Sequence, residues 1–233
     1  MISAAELSSL APTCQEAEAK AALLSRLGQR MLEQGSLRGV TALKTSDAIK
    51  NELIFDSLGG LPSLPPAGHS VIDIGTGGGV PGLVLAVMRP DLQFVLTDSA
   101  IKKTNWVQEC IDDLAISNVQ VRTARLEILG REEDARGRYD AVTAKALSSL
   151  AVLVELAIPL LKVGGRLIAY KGPALNDEIQ AAKKALKLLG AEVERCRDYT
   201  LAGKSYRIAE IIKKAPTGGR YPRRDGVPQK TPL

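Results

Sequence analysis

Val71-Ile72-Asp73-Ile74-Gly75-Thr76-Gly77-Gly78-Gly79-Val80-Pro81-Gly82 reads as an apolar strand that runs directly into a glycine-rich turn and then into a helix. A chain that reverses this sharply, and that must bring its backbone against a ligand, cannot carry Cβ atoms at the turning points. The strand, the turn and the helix expected over Pro81–Met88 therefore form the first unit of a nucleotide-type α/β domain.

C-terminal to this stretch, short β runs alternate with amphipathic helical ones, the signature of βα units on a mainly parallel sheet. Strands are expected at Ser70–Ile74, Gln93–Thr97, Val119–Thr123, Tyr139–Thr143, Arg166–Tyr170, Glu192–Asp198 and Arg207–Ile212. Helices are expected at Pro81–Met88, Lys102–Leu114, Leu150–Leu161 and Asn176–Leu189. The last two strands have no helix between them, only Leu201-Ala202-Gly203-Lys204-Ser205. A parallel sheet closed by such a hairpin resembles class I methyltransferases more than dinucleotide dehydrogenases, whose second half continues with further βα units. Upstream, Thr13-Cys14-Gln15-Glu16 has capping-box form before Leu23, Leu24, Leu27, Met31 and Leu32 at helical spacing. A second helix is expected from Ser46 or Asp47 through Leu58, ended by Gly59-Gly60. The expected organisation is a helical extension over 1–66, a Rossmann-like domain over 67–215 and a basic tail over 216–233.

Composition narrows the chemistry. The chain has 233 residues, enough for one α/β domain, and no stretch reaches the roughly 18 apolar residues of a membrane span. Without a signal-peptide layout at its N-terminus, it reads as a cytoplasmic protein with no membrane partner. Cys14, Cys110 and Cys196 are scattered and His69 is the sole histidine, which argues against a metal site, a disulfide framework or a histidine-based hydrolase. The net charge of +5 is concentrated toward the end, where Lys213, Lys214, Arg220, Arg223, Arg224 and Lys230 suit a polyanionic partner or, more simply, make a solvated basic tail.

Asp73 is the informative companion of the glycines, because Asp73, Gly75, Gly77 and Gly79 together make the D-x-G-x-G-x-G layout of methyltransferases. A carboxylate at that strand end repels pyrophosphate but favours the sulfonium and ammonium of S-adenosylmethionine. Asp98 ends the second strand, where this fold places a carboxylate on the ribose hydroxyls; the lesser alternative is a cap on the next helix, a role Ser99 could take instead. Leu126 and Glu127, after the third strand, are placed for the adenine edge. Lys145 and Lys171 follow the fourth and fifth strands, at the carboxyl edge where catalytic and substrate groups collect. Trp106, Tyr170 and Phe94 read as core or pocket wall.

These residues resemble a family more closely than a class. The turn from Asp73 to Gly82, the run from Arg89-Pro90 to Asp98-Ser99 with Lys102-Lys103, and the tail Gly219-Arg220-Tyr221-Pro222-Arg223-Arg224-Asp225-Gly226-Val227-Pro228 are similar to motifs of the bacterial 16S ribosomal RNA guanine-N7 methyltransferases (small-subunit methyltransferase G, also called glucose-inhibited division protein B). The resemblance implies cofactor contacts at Gly75, Val80, Leu126, Glu127 and Lys145, beside the Asp73, Gly77 and Asp98 read above. It also implies a 16S rRNA or small-subunit precursor as partner and a monomer, with Lys171, Arg220, Arg223 and Arg224 on RNA phosphates. The family usually has arginine where Lys145 stands, and a basic residue and histidine where Glu52 and Leu53 stand. A methyltransferase acting on a small molecule or another RNA, and a non-catalytic RNA-binding module on the same fold, are the alternative readings.

Overall fold

β1 (Ser70–Ile74), β2 (Gln93–Asp98), β3 (Val119–Thr123), β4 (Tyr139–Lys145), β5 (Leu161–Lys171), β6 (Ala191–Leu201) and β7 (Lys204–Lys213) build one sheet in the order β3-β2-β1-β4-β5-β7-β6 in the computed structural model, which describes residues 1–233. β1 to β5 run parallel, and β7 enters antiparallel between β5 and β6. The strand order reverses between β1 and β4, which makes the crevice above their carboxyl ends the place for a ligand.

Side-chain alternation along each strand feeds two cores. Val71, Phe94, Leu96, Ala141 and Ile168 point to one face, where α1 (Ala4–Leu10), α2 (Ala17–Gln34), α4 (Asp56–Leu58), α5 (Gly82–Met88) and α6 (Ile101–Leu114) supply the apolar partners, together with Ile49, Ile54 and Phe55, which follow the short polar α3 (Ser46–Ala48). Ile72, Ile74, Val142, Leu167 and Ala169 point to the other, toward α7 (Leu126–Leu129), α8 (Leu150–Ala157) and α9 (Leu175–Leu189). α3 and α4 are one helix, joined by the π-helical segment Ile49–Phe55, in which the Asp56 amide bonds back to the Asn51 carbonyl. π-turns of this kind concentrate at functional sites.

The N-terminal helices belong to the first layer. The Lys20 ammonium is buried and donates to the Met88 carbonyl at 3.1 Å, placing a cation at the C-terminus of α5. Two local expectations fail here. Thr13 to Glu16 is not a capping box, since Glu16 itself occupies the N-cap of α2 at φ 57° with no side-chain bond. The box lies instead at Ser3 and Glu6, which begin the unforeseen α1. The final hairpin is also longer than its expected core, because the loop contracts to Ala202-Gly203, both at positive φ (48° and 75°). Two consecutive positive φ values match the right-handed twist of paired strands.

The tail is folded onto the body, so the reading of it as a solvated basic segment is corrected. Arg136 donates to the carbonyls of Thr217, Gly218 and Tyr221, and Arg131 to those of Arg220 and Pro222. Tyr221 is buried in the second core, and α10 (Val227–Lys230) lies against α8. The anchor is Arg223, whose backbone amide and guanidinium take the Glu155 carboxylate at 2.8, 2.8 and 2.6 Å. Glu155 is 0% exposed, so removing its partner leaves a buried charge uncompensated. Arg223→Ala should cost about 3 kcal/mol in urea unfolding, the low end for a buried pair because the guanidinium keeps some solvent contact. Arg224→Ala, at an exposed position, should lie within about 0.5 kcal/mol of wild type.

Candidate active site

The Asp73 carboxylate lies beneath the glycine turn. One oxygen accepts from the Gly82 amide at 3.1 Å and the other from the Thr143 hydroxyl at 2.7 Å, so one side chain joins β1, the first turn of α5 and β4. A carboxylate at a helix N-terminus satisfies an otherwise orphaned donor and complements the helix dipole. Gly82 is required by this approach, since a Cβ there would lie 2.8 Å from the Asp73 oxygen and 2.7 Å from Leu96 Cγ. The turn is tied from above as well. Asp98 accepts from the Gly77 amide at 3.1 Å and from the Ala100 amide at 3.0 Å, and Trp106 Nε1 donates to the Gly78 carbonyl at 3.2 Å.

The placements sort the expected residues. Gly75, Gly77 and Val80 are partly exposed along the turn, with Asp98 beside them at the end of β2. Asp73 is 0% exposed, which corrects its reading as a ligand contact: its role is to hold the turn, and its charge acts through space. Leu126 is buried, and Glu127 turns to the tail, accepting from the Gly226 amide at 3.1 Å. Lys171 and Arg223 are likewise withdrawn from RNA phosphates. The Lys171 side chain is 8% exposed and its ammonium donates to Glu178 at 2.7 Å and to the Ser148 carbonyl at 2.6 Å, while Arg223 is spent on Glu155. Arg220 and Arg224 remain exposed.

Lys145 ends β4 on the wall of a cleft of about 600 Å³, between the carboxyl ends of β4 and β5 and the tip of the β6–β7 hairpin. Its ammonium donates to Asp56 at 2.5 Å and to the Glu52 carbonyl at 2.5 Å. Burial pulls its pKa below the ordinary lysine value, opposed by the Asp56 carboxylate. Asp56 also accepts from the Tyr199 hydroxyl at 2.5 Å, and Tyr170 donates to the Ser57 carbonyl at 2.5 Å. Both tyrosines reach these partners over Gly59 and Gly60, where a Cβ would collide with their rings, so the pair does more than end a helix. Ala146 is held at φ 52°, a conformation that costs a non-glycine residue about 1 kcal/mol or more. The next side chain, Leu147, packs on Gly75 and lines the cleft, so turn and cleft adjoin.

Asp56 and Tyr199 were missed in the sequence as site residues. Asp56 sits inside an apolar helical run and Tyr199 is one of several aromatics in a hairpin; only the fold brings them to Lys145. No set of three His, Cys, Asp or Glu side chains is placed to hold a metal ion, and no helix is long and apolar enough to cross a membrane.

The fit to S-adenosylmethionine rests on four features. The backbone at Gly77 is open, with nothing nearer than 3.9 Å to a Cβ built there. The Thr97 hydroxyl is buried beside the turn without a partner. Each Asp98 oxygen carries one N–H donor, which leaves acceptor capacity for a ribose diol. The Asp73 carboxylate beneath the turn disfavours a pyrophosphate and favours a sulfonium. With the 3-2-1-4-5-7-6 sheet, these features define a class I S-adenosylmethionine-dependent methyltransferase. Solved structures agree on the fold: a 16S rRNA (adenine(1408)-N(1))-methyltransferase from Catenulisporales acidiphilia gives a TM-score of 0.52 at 16% identity over 65% of this chain and 88% of that one. The CurJ carbon methyltransferase gives 0.55 at 19% identity over 91% and 70%.

The chain belongs to the rRNA small subunit methyltransferase G (GidB) family, whose family model matches residues 20–204. Relatives named ribosomal RNA small subunit methyltransferase G include those of Deinococcus radiodurans, 40% identical with 87% of this chain and 82% of that protein covered, and of Chloroflexus aggregans, 40% identical with 83% and 82% covered.

Burial raises the Asp73 pKa to about 6, against the opposing hydrogen bonds from Thr76, Thr143 and Gly82. Between pH about 4 and 6 the folded protein therefore holds a proton that the unfolded chain releases. The associated stability is full below pH 4 and is lost as pH rises through 6, by about 3 kcal/mol for a two-unit shift. Asp73→Asn has no proton to lose there, so its urea stability relative to wild type should improve by about 2–3 kcal/mol between pH 4 and pH 7. A difference independent of pH would contradict the assignment.

Proposed function

We propose that this chain transfers the methyl group of S-adenosylmethionine to N7 of a guanine in 16S ribosomal RNA, acting as a monomer on the small ribosomal subunit or its precursor. The observation that carries the reading is the junction at Leu147, where a glycine turn suited to the cofactor adjoins a cleft lined by Lys145 at the reversal of strand order. Gly75, Gly77, Val80 and Asp98 would hold the cofactor, which supplies an electrophilic methyl on a sulfonium. Family membership supports RNA as the acceptor.

Guanine N7 has an in-plane lone pair that is free at neutral pH, so the protein must align it rather than deprotonate it. Lys145 suits that task. Two of its three ammonium protons are spent on Asp56 and Glu52, and the third is left for O6, the acceptor beside N7 on the same base edge. Methylation makes the base cationic. Glu178 lines the cleft with one oxygen taken by Lys171 and the Leu150 amide and the other free, which places negative charge near that product. Of the tail arginines, Arg220 and Arg224 are left to meet phosphate.

The deciding experiment incubates the purified chain and labelled S-adenosylmethionine with small ribosomal subunits, free nucleosides or no acceptor. Transfer to guanine N7 of 16S rRNA supports the reading; transfer to nucleosides alone supports a small-molecule enzyme, and none at all a binding module. Asp98→Ala should weaken cofactor binding by about 10- to 100-fold in calorimetry, the loss of charge-assisted hydrogen bonds. Lys145→Met should lower kcat about 100-fold, the scale of one aligned donor at the reacting centre. Arg220→Ala with Arg224→Ala should reduce the salt slope of RNA binding by about 2. An unchanged slope would remove the tail from the interface.

A further inference from the structure

The β6–β7 hairpin places Tyr199 and Tyr206 directly opposite each other, and their rings stack at 5.6 Å between centroids with an interplanar angle of 18°. The two are not equivalent. Tyr199 is anchored through its hydroxyl to Asp56, the carboxylate that also holds Lys145. Tyr206 is half-exposed, its hydroxyl makes no hydrogen bond, and it lines the cleft beside Lys145 and Lys204. Lys204, one position past the turn, pairs with Glu52 at 2.6 Å, and Glu52 lends its carbonyl to Lys145. The hairpin tip is thus fastened to the helix that fastens Lys145. Tyr170, the other aromatic of the cleft, is buried with its hydroxyl on Ser57, so Tyr206 is the ring left to meet a ligand.

An aromatic ring backed by a second ring, tied to a buried carboxylate and presented in a cleft, loses little freedom when a planar group lies on it. We propose that Tyr206 is the platform on which the acceptor base stacks, holding the guanine plane at the height of Lys145. This rests on the reading of the cleft as the acceptor site. Stacking recognises any base by its π-face. Tyr206 therefore supplies affinity and orientation, while choice of guanine falls to edge contacts such as Lys145 to O6. The competing account is that the pair is a cross-strand contact that only stabilises the hairpin.

The test compares wild type, Tyr206→Phe and Tyr206→Leu in methyl transfer to small ribosomal subunits, with S-adenosylmethionine affinity and thermal unfolding measured on the same preparations. Leucine keeps apolar bulk and β compatibility but has no π-face. Tyr206→Leu should raise KM for the RNA about tenfold or more, with the cofactor Kd unchanged, and Tyr206→Phe should stay within about twofold of wild type. The proposal is overturned if Tyr206→Leu only lowers the unfolding temperature and leaves KM alone, or if Tyr206→Phe is as defective as Tyr206→Leu. Absence of RNA methylation by the wild-type chain overturns the underlying reading, and the platform with it.

Discussion

At the point where the strand order reverses, a carboxylate with no access to solvent holds three elements together. Asp73 bonds the Gly82 amide at the start of α5 and the Thr143 hydroxyl on β4, while its own backbone belongs to β1. Placing a carboxyl group there is costly, which is why its proton is held to about pH 6. What the arrangement secures is position: the turn between β1 and α5 cannot shift without breaking a buried, charge-assisted bond. Gly75 and Gly77 are presented at the crevice because Asp73 pulls from below and Asp98 from the side.

A second network, also built on a buried carboxylate, sets the other half of the site. Asp56 gathers Lys145 from β4 and Tyr199 from β6, while the same helix offers the Glu52 carbonyl and the Ser57 carbonyl to Lys145 and Tyr170. The N-terminal helices thereby serve as one wall of the cleft as well as a layer of the core. The tail repeats the device on the opposite face of the sheet, where Glu155 receives Arg223. In each case a charged pair fixes register between segments distant in sequence, and apolar packing around it supplies the bulk of the stability.

The alternation of apolar strands with amphipathic helices made the sheet, its seven strands and its closing hairpin readable from the sequence, because period-2 and period-3.6 patterns are local. The glycine turn with Asp73 and Asp98 was readable for the same reason, since its parts lie within one βαβ unit. What escaped was non-local. Arg223 and Lys171 look like free cations in sequence, yet each meets a carboxylate, Glu155 or Glu178, supplied by another element. Asp56 looks like a surface residue of a helix and is buried on Lys145. Ala202 hid a tight turn because alanine seldom adopts positive φ. Charge counts predict a basic tail; they do not say which cations are already paired.

The central claim is that the crevice above β1 and β4 methylates one guanine of 16S rRNA at N7. Mass mapping of 16S rRNA from cells lacking this chain, set against the same cells supplied with it, tests that claim most directly. The account predicts a single N7-methylguanine that disappears on deletion, returns in full with the wild-type chain and returns to a smaller fraction of the 16S rRNA with Lys145→Met. An identical modification map with and without the chain would contradict it.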